Sequence, residues 1–298
     1  MIRLLTMLLL ATASLPGFAA LQVFATVPEW GALAREIGGD KVSVFTATTA
    51  LQDPHRIQAR PSLLAQARRA DLVVATGAEL EVGWLPLVLR DSGNANIQPG
   101  RPGYFEAARY VTLLDVPVTL DRTHGDVHAA GNPHLQLDPR NLLKIGEALA
   151  ARLGELDPSN AAAYRSGYQA FAGKWQAAIA RWEKEAAPLR GVPVLVHHDS
   201  FVYLAHWLGF KVTGTLEPKP GIEPSSGQLS GLVARQQGTP ARMVLRTAYQ
   251  SDGPSLWISG KAGIPAVMLP FTVGGSPEAG DLFGLFDDTI RRLLKGLD

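Results

Sequence analysis

Three places in this sequence hold a histidine where the chain restrains it. His134 lies in Gly131-Asn132-Pro133-His134-Leu135-Gln136-Leu137-Asp138-Pro139, between two prolines that each narrow the backbone's choices. His55 ends the triplet Asp53-Pro54-His55. A third position is offered by Val196-His197-His198-Asp199, which follows an apolar strand. Neutral imidazole is a ligand for zinc and its neighbours, so three rings gathered by a fold make most of a transition-metal site. A single histidine is more often a hydrogen-bonded core or surface residue. Three in constrained contexts favour the metal reading. Strand-end neighbours point to opposite sides, so only one of His197 and His198 would face a shared ion.

Composition narrows the chemistry further. The chain has 298 residues and no cysteine, so any metal must be held by histidine and carboxylate, and no disulfide or lipid-bearing cysteine is expected. Lysine and arginine number 28 against 27 acidic residues, which points to neither nucleic acid nor an anionic membrane surface. The amino terminus runs from Arg3 into the apolar stretch Leu4 to Ala13, then Pro16-Gly17-Phe18-Ala19. The stretch is too short to span a bilayer and reads as a secretory signal peptide over residues 1–20, with export as a soluble form rather than a lipoprotein.

The elements that must position the histidines form two similar halves. Leu21 to Thr26, Val42 to Phe45 and Ala70 to Gly77 read as strands, with helices over Glu29 to Ile37 and Pro61 to Arg69 between them. The pattern restarts after residue 190. Strands are expected at Val192 to Val196, Lys211 to Thr215, Met243 to Arg246 and Ala266 to Leu269. Helices are expected at Ser200 to Leu208, Ser226 to Gln237, Ser255 to Ala262 and Asp281 to Lys295. Alternation of this kind predicts parallel sheets covered by helices. The expected fold is therefore α/β, with an N-terminal lobe over 21–156 and a C-terminal lobe over 189–298. Between them, over 157–188, Tyr164, Tyr168, Phe171, Trp175, Ala178, Ile179 and Trp182 recur at three- and four-residue steps. That is one amphipathic helix, roughly 40 Å long at about 1.5 Å per residue, joining the lobes. Gly167 and Gly173 could kink it.

The ordered motifs resemble the periplasmic metal-binding proteins of ATP-binding-cassette importers that carry zinc or manganese. The matching stretches are Asp53-Pro54-His55 with Pro61-Ser62; Ala70 to Val74 with Gly77, Glu81 and Trp84-Leu85; and Gly131 to His134 with Leu137 to Asn141. They continue with Asp157-Pro158 and Tyr164, His198-Asp199-Ser200-Phe201 with Tyr203 and Leu208-Gly209, and Glu223-Pro224-Ser225 with Leu229. The resemblance covers nearly the whole chain beyond residue 20. It implies two lobes joined by a rigid helix, with metal in the cleft, and it implies His55, His134 and His198 as ligands.

The resemblance implies a fourth ligand, an aspartate after the last strand. Here Val267-Met268-Leu269 runs into Pro270-Phe271 instead. The candidates are Asp281, Glu278, Glu217 or a water, and Asp281 also reads as a helix cap. Asp138 is expected to support a ligating imidazole by accepting its second N–H, the competing reading being a turn-forming Asp before Pro139. His124 and His128, with Asp121 and Asp126, form a short loop that could collect metal, or a solvated segment. An open fourth position on zinc also invites a hydrolase, but no His-Glu-x-x-His helix and no placed general base are present. A binder of an organic iron chelate or a corrinoid would call for aromatic or arginine-lined walls. The expected function is a monomeric periplasmic zinc receptor, not an enzyme, that takes Zn2+ as cargo to the membrane subunits of an ABC permease. A manganese or iron receptor of the same kind is the alternative.

Overall fold

The computed structural model describes residues 20–117, 128–236, 238 and 240–298. It contains two four-stranded parallel sheets. In the first, β1 (Leu21–Ala25), β2 (Val42–Thr46), β3 (Leu72–Ala75) and β4 (Tyr104–Glu106) lie in the order β2-β1-β3-β4. In the second, β5 (Pro193–Val196), β6 (Lys211–Thr215), β7 (Met243–Thr247) and β8 (Ala266–Leu269) repeat that order as β6-β5-β7-β8. The central strands are apolar runs with no polar alternation, because helices cover both faces. Val73 and Val74, for example, are both fully buried although they point to opposite faces.

The first lobe's helices are α1 (Pro28–Gly38), α2 (Pro61–Arg69), α3 (Leu85–Ser92) and α4 (Pro139–Leu156). The linking helix is α5 (Ala161–Glu185). The second lobe carries α6 (Val202–Leu208), α7 (Ser226–Arg235), α8 (Gly253–Ala262) and α9 (Leu282–Lys295). Among the described residues no helix is long and apolar enough to cross a membrane. The α4 helix is an addition to the sequence reading. Asp138 caps its start through Arg140 N, Pro139 occupies its first turn, and Leu142, Ile145, Leu149 and Leu153 form its buried stripe.

Helix α5 is unbroken at both glycines. Gly167 serves contact rather than bending: a Cβ there would stand 2.2 Å from the Ile37 carbonyl oxygen, so only glycine lets α1 end against α5. Towards the second lobe α5 packs on α9. Trp175 and Trp182, both fully buried, form an aromatic stack with Phe283, Phe286 and Trp207. Each indole N–H finds an acceptor: Trp175 on the Pro139 carbonyl, Trp182 on Asp287 and Trp207 on Glu183. One apolar core thus runs from the first sheet through α5 to the second.

Candidate metal centre

The residues around the cleft follow the carboxyl ends of strands, where open parallel sheets leave a crevice between connections. His198 comes two residues after β5, Glu217 two after β6, Tyr249 two after β7 and Phe271 two after β8. His55 lies in the connection after β2, and His134 lies just ahead of α4. Together His55, His134 and His198 offer ligand atoms that all lie within 4.8 Å of one another. Their rings stand 5.3, 5.7 and 6.0 Å apart between centroids. The sequence named these three, and the fold brings them together from both lobes.

Each ring is held by its surroundings. The His55 loop is pinned by buried Trp84, whose indole donates to the Pro54 carbonyl at 3.0 Å. Asp53 Oδ1 accepts both the His55 backbone N–H, at 3.0 Å, and the His55 Nδ1, at 2.8 Å. His198 Nδ1 meets Glu217 Oε2 at 2.7 Å, and the Gly221 N–H donates to the same oxygen at 2.8 Å. An ionised carboxylate only accepts, so in the neutral rings Nδ1 carries the proton and Nε2 keeps its lone pair. His55 Nε2 is buried without a partner. His134 is 1 % exposed and neither ring nitrogen has a partner. Its backbone N–H donates to Asn132 Oδ1, and Asn141 holds the following turn through the Leu135 carbonyl.

The electrostatics follow from this arrangement. Burial, helped by the nearby rings of His55, His198 and His128, drives the His134 pKa well below the ordinary imidazole value, so the ring is neutral. Burial also presses on His198, but the Glu217 carboxylate more than offsets it and its pKa is raised. Asp53 is penalised by burial, yet its bond to His55 holds it below the usual carboxylate range.

Several expectations need correction. Asp138 does not support an imidazole. Its carboxylate caps α4 and pairs with Arg140 at 2.6 Å, while both His134 nitrogens stay unpartnered. Of the two readings of Asp281 the cap is the one borne out: it is exposed and accepts the Gly284 N–H at 2.7 Å at the start of α9, outside the residues lining the histidine cleft. Glu278 pairs with Arg292 at 3.4 Å. Glu217, weighed as a ligand, is engaged behind His198. The supporting carboxylates are therefore Asp53 and Glu217. Asp53 could have been found from its place two residues before His55 in a Pro-containing turn. His197 is buried outside the triangle, its Nε2 4.0 Å from Glu217. His128 is nearer than its loop assignment suggested, its ring 5.3 Å from that of His55. The remainder of the proposed collecting loop, His124, Asp121 and Asp126, lies outside the described residues, as does the expected signal peptide up to residue 19.

The lobes are tied across the cleft. Asn132 Nδ2 donates to the Asp199 carbonyl at 2.8 Å, and Tyr203 Oη donates to the Asn132 carbonyl at 2.9 Å. On one side of the triangle, a cavity of about 160 Å³ is lined by Asp115, His128, His134, His198 and Asp199. The ring of Phe271 stands edge-on to His134 at 5.3 Å. Three imidazole donors at this spacing suit a four-coordinate ion with one position left over.

Comparison with known proteins gives a family match over nearly the whole described chain and a shared fold. The family model described as zinc-uptake complex component A, periplasmic, matches residues 23–296. The metal ABC transporter substrate-binding lipoprotein SloC of Streptococcus mutans is 23 % identical over 98 % of this chain and 98 % of its own length. The high-affinity zinc uptake system protein ZnuA of Paracoccus denitrificans is 24 % identical over 75 % of each. Among solved structures, a crystal structure of ZnuA superposes with a TM-score of 0.78 at 22 % identity, over 94 % of this chain and 100 % of that one.

Proposed function

The chain belongs to the zinc-uptake complex component A family, the substrate-binding proteins of metal ABC transporters, and on that premise we propose that it is a periplasmic receptor for Zn2+. The observation that carries this reading is the set of three imidazoles drawn from both lobes, two of them backed by carboxylates and with unpartnered nitrogens gathered at the centre. The lobes are residues 21–156 and 189–298, with 157–188 between them. His55, His134 and His198 hold the ion, and water completes the shell from the Asp115–His128 cavity. Zinc accepts three nitrogens and a water in tetrahedral geometry, whereas manganese favours carboxylate and carbonyl oxygen. Copper binds such donors more tightly still, so availability as well as geometry sets the cargo.

The receptor works as a monomer and hands its ion to the permease subunits of an ABC importer. We read it as a receptor and not an enzyme, in keeping with the transport names of its relatives. The name of the streptococcal relative sets a lipoprotein against the soluble form expected here. The lack of any cysteine in this sequence is what supports the latter. The test is elemental analysis of protein purified without added metal, followed by chelator competition. Zinc at one ion per chain, with manganese bound far more weakly, is the expected result. Manganese as the tighter ligand would overturn the zinc reading.

A further inference from the structure

Phe271 occupies a position that its own chemistry does not favour. Its φ is +68°, the left-handed region in which an aromatic residue is rare and strained. The residue is 3 % exposed. Two independent restraints keep it there. The next residue, Thr272, donates its hydroxyl to Glu29 Oε2 in the first lobe at 2.5 Å. The turn then closes so tightly that a Cβ on Gly275 would fall 1.9 Å from the Pro270 carbonyl oxygen. The result is an aromatic wall. Phe271 stands edge-on to His134 at 5.3 Å and edge-on to Tyr249 at 5.6 Å. Burial and the nearby carboxylates of Asp53 and Glu217 push the Tyr249 hydroxyl's pKa up, so the aromatic wall itself carries no charge.

Backbone strain that persists at a ligand site is held there by the surrounding structure and marks a role. We propose that Phe271 is a specificity-determining residue: its ring closes one flank of His134 in the histidine triangle to oxygen donors and so discriminates against ions that need a carboxylate or several waters. This rests on the zinc-receptor reading above. Manganese and magnesium keep five or six oxygens around them, and an apolar ring beside His134 offers none. Zinc loses nothing by it, because three imidazoles and one water already satisfy a tetrahedral shell.

The test exchanges the wall for a donor in the whole mature chain. Phe271→Glu places a carboxyl carbon near where the centre of the ring stands. Phe271→Leu keeps the wall apolar. Zn2+ and Mn2+ affinities are measured by chelator competition, and the readout is their ratio. Phe271→Glu should lower the zinc-to-manganese ratio at least tenfold, chiefly by tightening manganese, while Phe271→Leu should hold it within about threefold. Aspartate accepts a left-handed backbone more readily than phenylalanine, so Phe271→Asp carries the same test should the glutamate variant not fold. A ratio unchanged in the acidic variants, with native circular dichroism, would overturn the proposal. So would a ratio that collapses equally in Phe271→Leu, which would reduce Phe271 to packing. If wild-type protein fails to bind zinc at all, the receptor reading fails instead, and the two outcomes are distinct.

Discussion

Glu29, at the start of α1, and Thr272, in the turn after β8, are 243 residues apart and joined by a 2.5 Å hydrogen bond inside the lobe interface. Glu29 is 2 % exposed. Burial, reinforced by the charge of Glu81, raises its pKa from 4.5 to about 7, against the opposing pull of the Thr272 hydroxyl. The carboxyl is therefore neutral in mildly acidic solution, where one of its oxygens still accepts the Thr272 hydroxyl.

That shift gives stability a definite pH dependence. The folded state binds the proton more tightly than the unfolded state, so the contribution is complete below pH 4.5 and is lost as pH rises through about 7. Its full size is about 3 kcal/mol, taking 1.36 kcal/mol per unit. Glu29→Gln, neutral at every pH, should remove this slope. Urea midpoints of the two proteins between pH 5 and 8 check it. Parallel curves would show that Glu29 does not titrate in this range.

His134 predicts opposite effects on affinity and stability. Both ring nitrogens are buried without a partner, and each such group costs about 1–3 kcal/mol. His134→Leu should raise the melting temperature of metal-free protein while lowering zinc affinity by orders of magnitude. Thermal scans with and without zinc read both at once. Retained zinc-induced stabilisation in the variant would remove His134 from the ligand set.

Glu217→Gln should weaken zinc about 10- to 100-fold, as for other partners of ligating imidazoles. It should also shift the acid limb of binding. In the wild-type protein the carboxylate raises the His198 pKa, so protons begin to compete with metal above the ordinary imidazole range. Without the carboxylate, competition should start at lower pH. Zinc titrations from pH 8 to 5 measure the displacement.

Asp281 separates capping from ligation. Its bond to Gly284 N predicts that Asp281→Ala costs about 1 kcal/mol in metal-free stability, that Asp281→Asn costs little, and that neither changes zinc affinity. A tenfold loss of affinity in the asparagine variant would return Asp281 to the metal.

The strands and two of the three clustered histidines, His55 and His134, were legible because local rules decide them, while His198 was singled out through the resemblance. Apolar runs bounded by turns mark β1, β3, β5 and β7, and prolines mark the histidine loops. Roles that depend on distant partners were not. Asp138-Pro139 is equally a turn, a support for a ring or a helix start; only the Arg140 N–H, folded over it, settles which. Glu217 reads as a free acid until β5 and β6 pair and set it behind His198. Nothing in residue propensity places a phenylalanine at φ +68°, since tertiary contacts impose that conformation on it.

The aromatic stack on α5 has a thermodynamic consequence. Trp175 and Trp182 of the linking helix pack on Phe286 and Trp207 of the second lobe, and Trp175 also donates to the Pro139 carbonyl of the first, so neither half is a cooperative unit by itself. Heating should melt the protein in one calorimetric transition rather than two. Either lobe expressed alone would present the severed face of that stack to water and to other copies of itself.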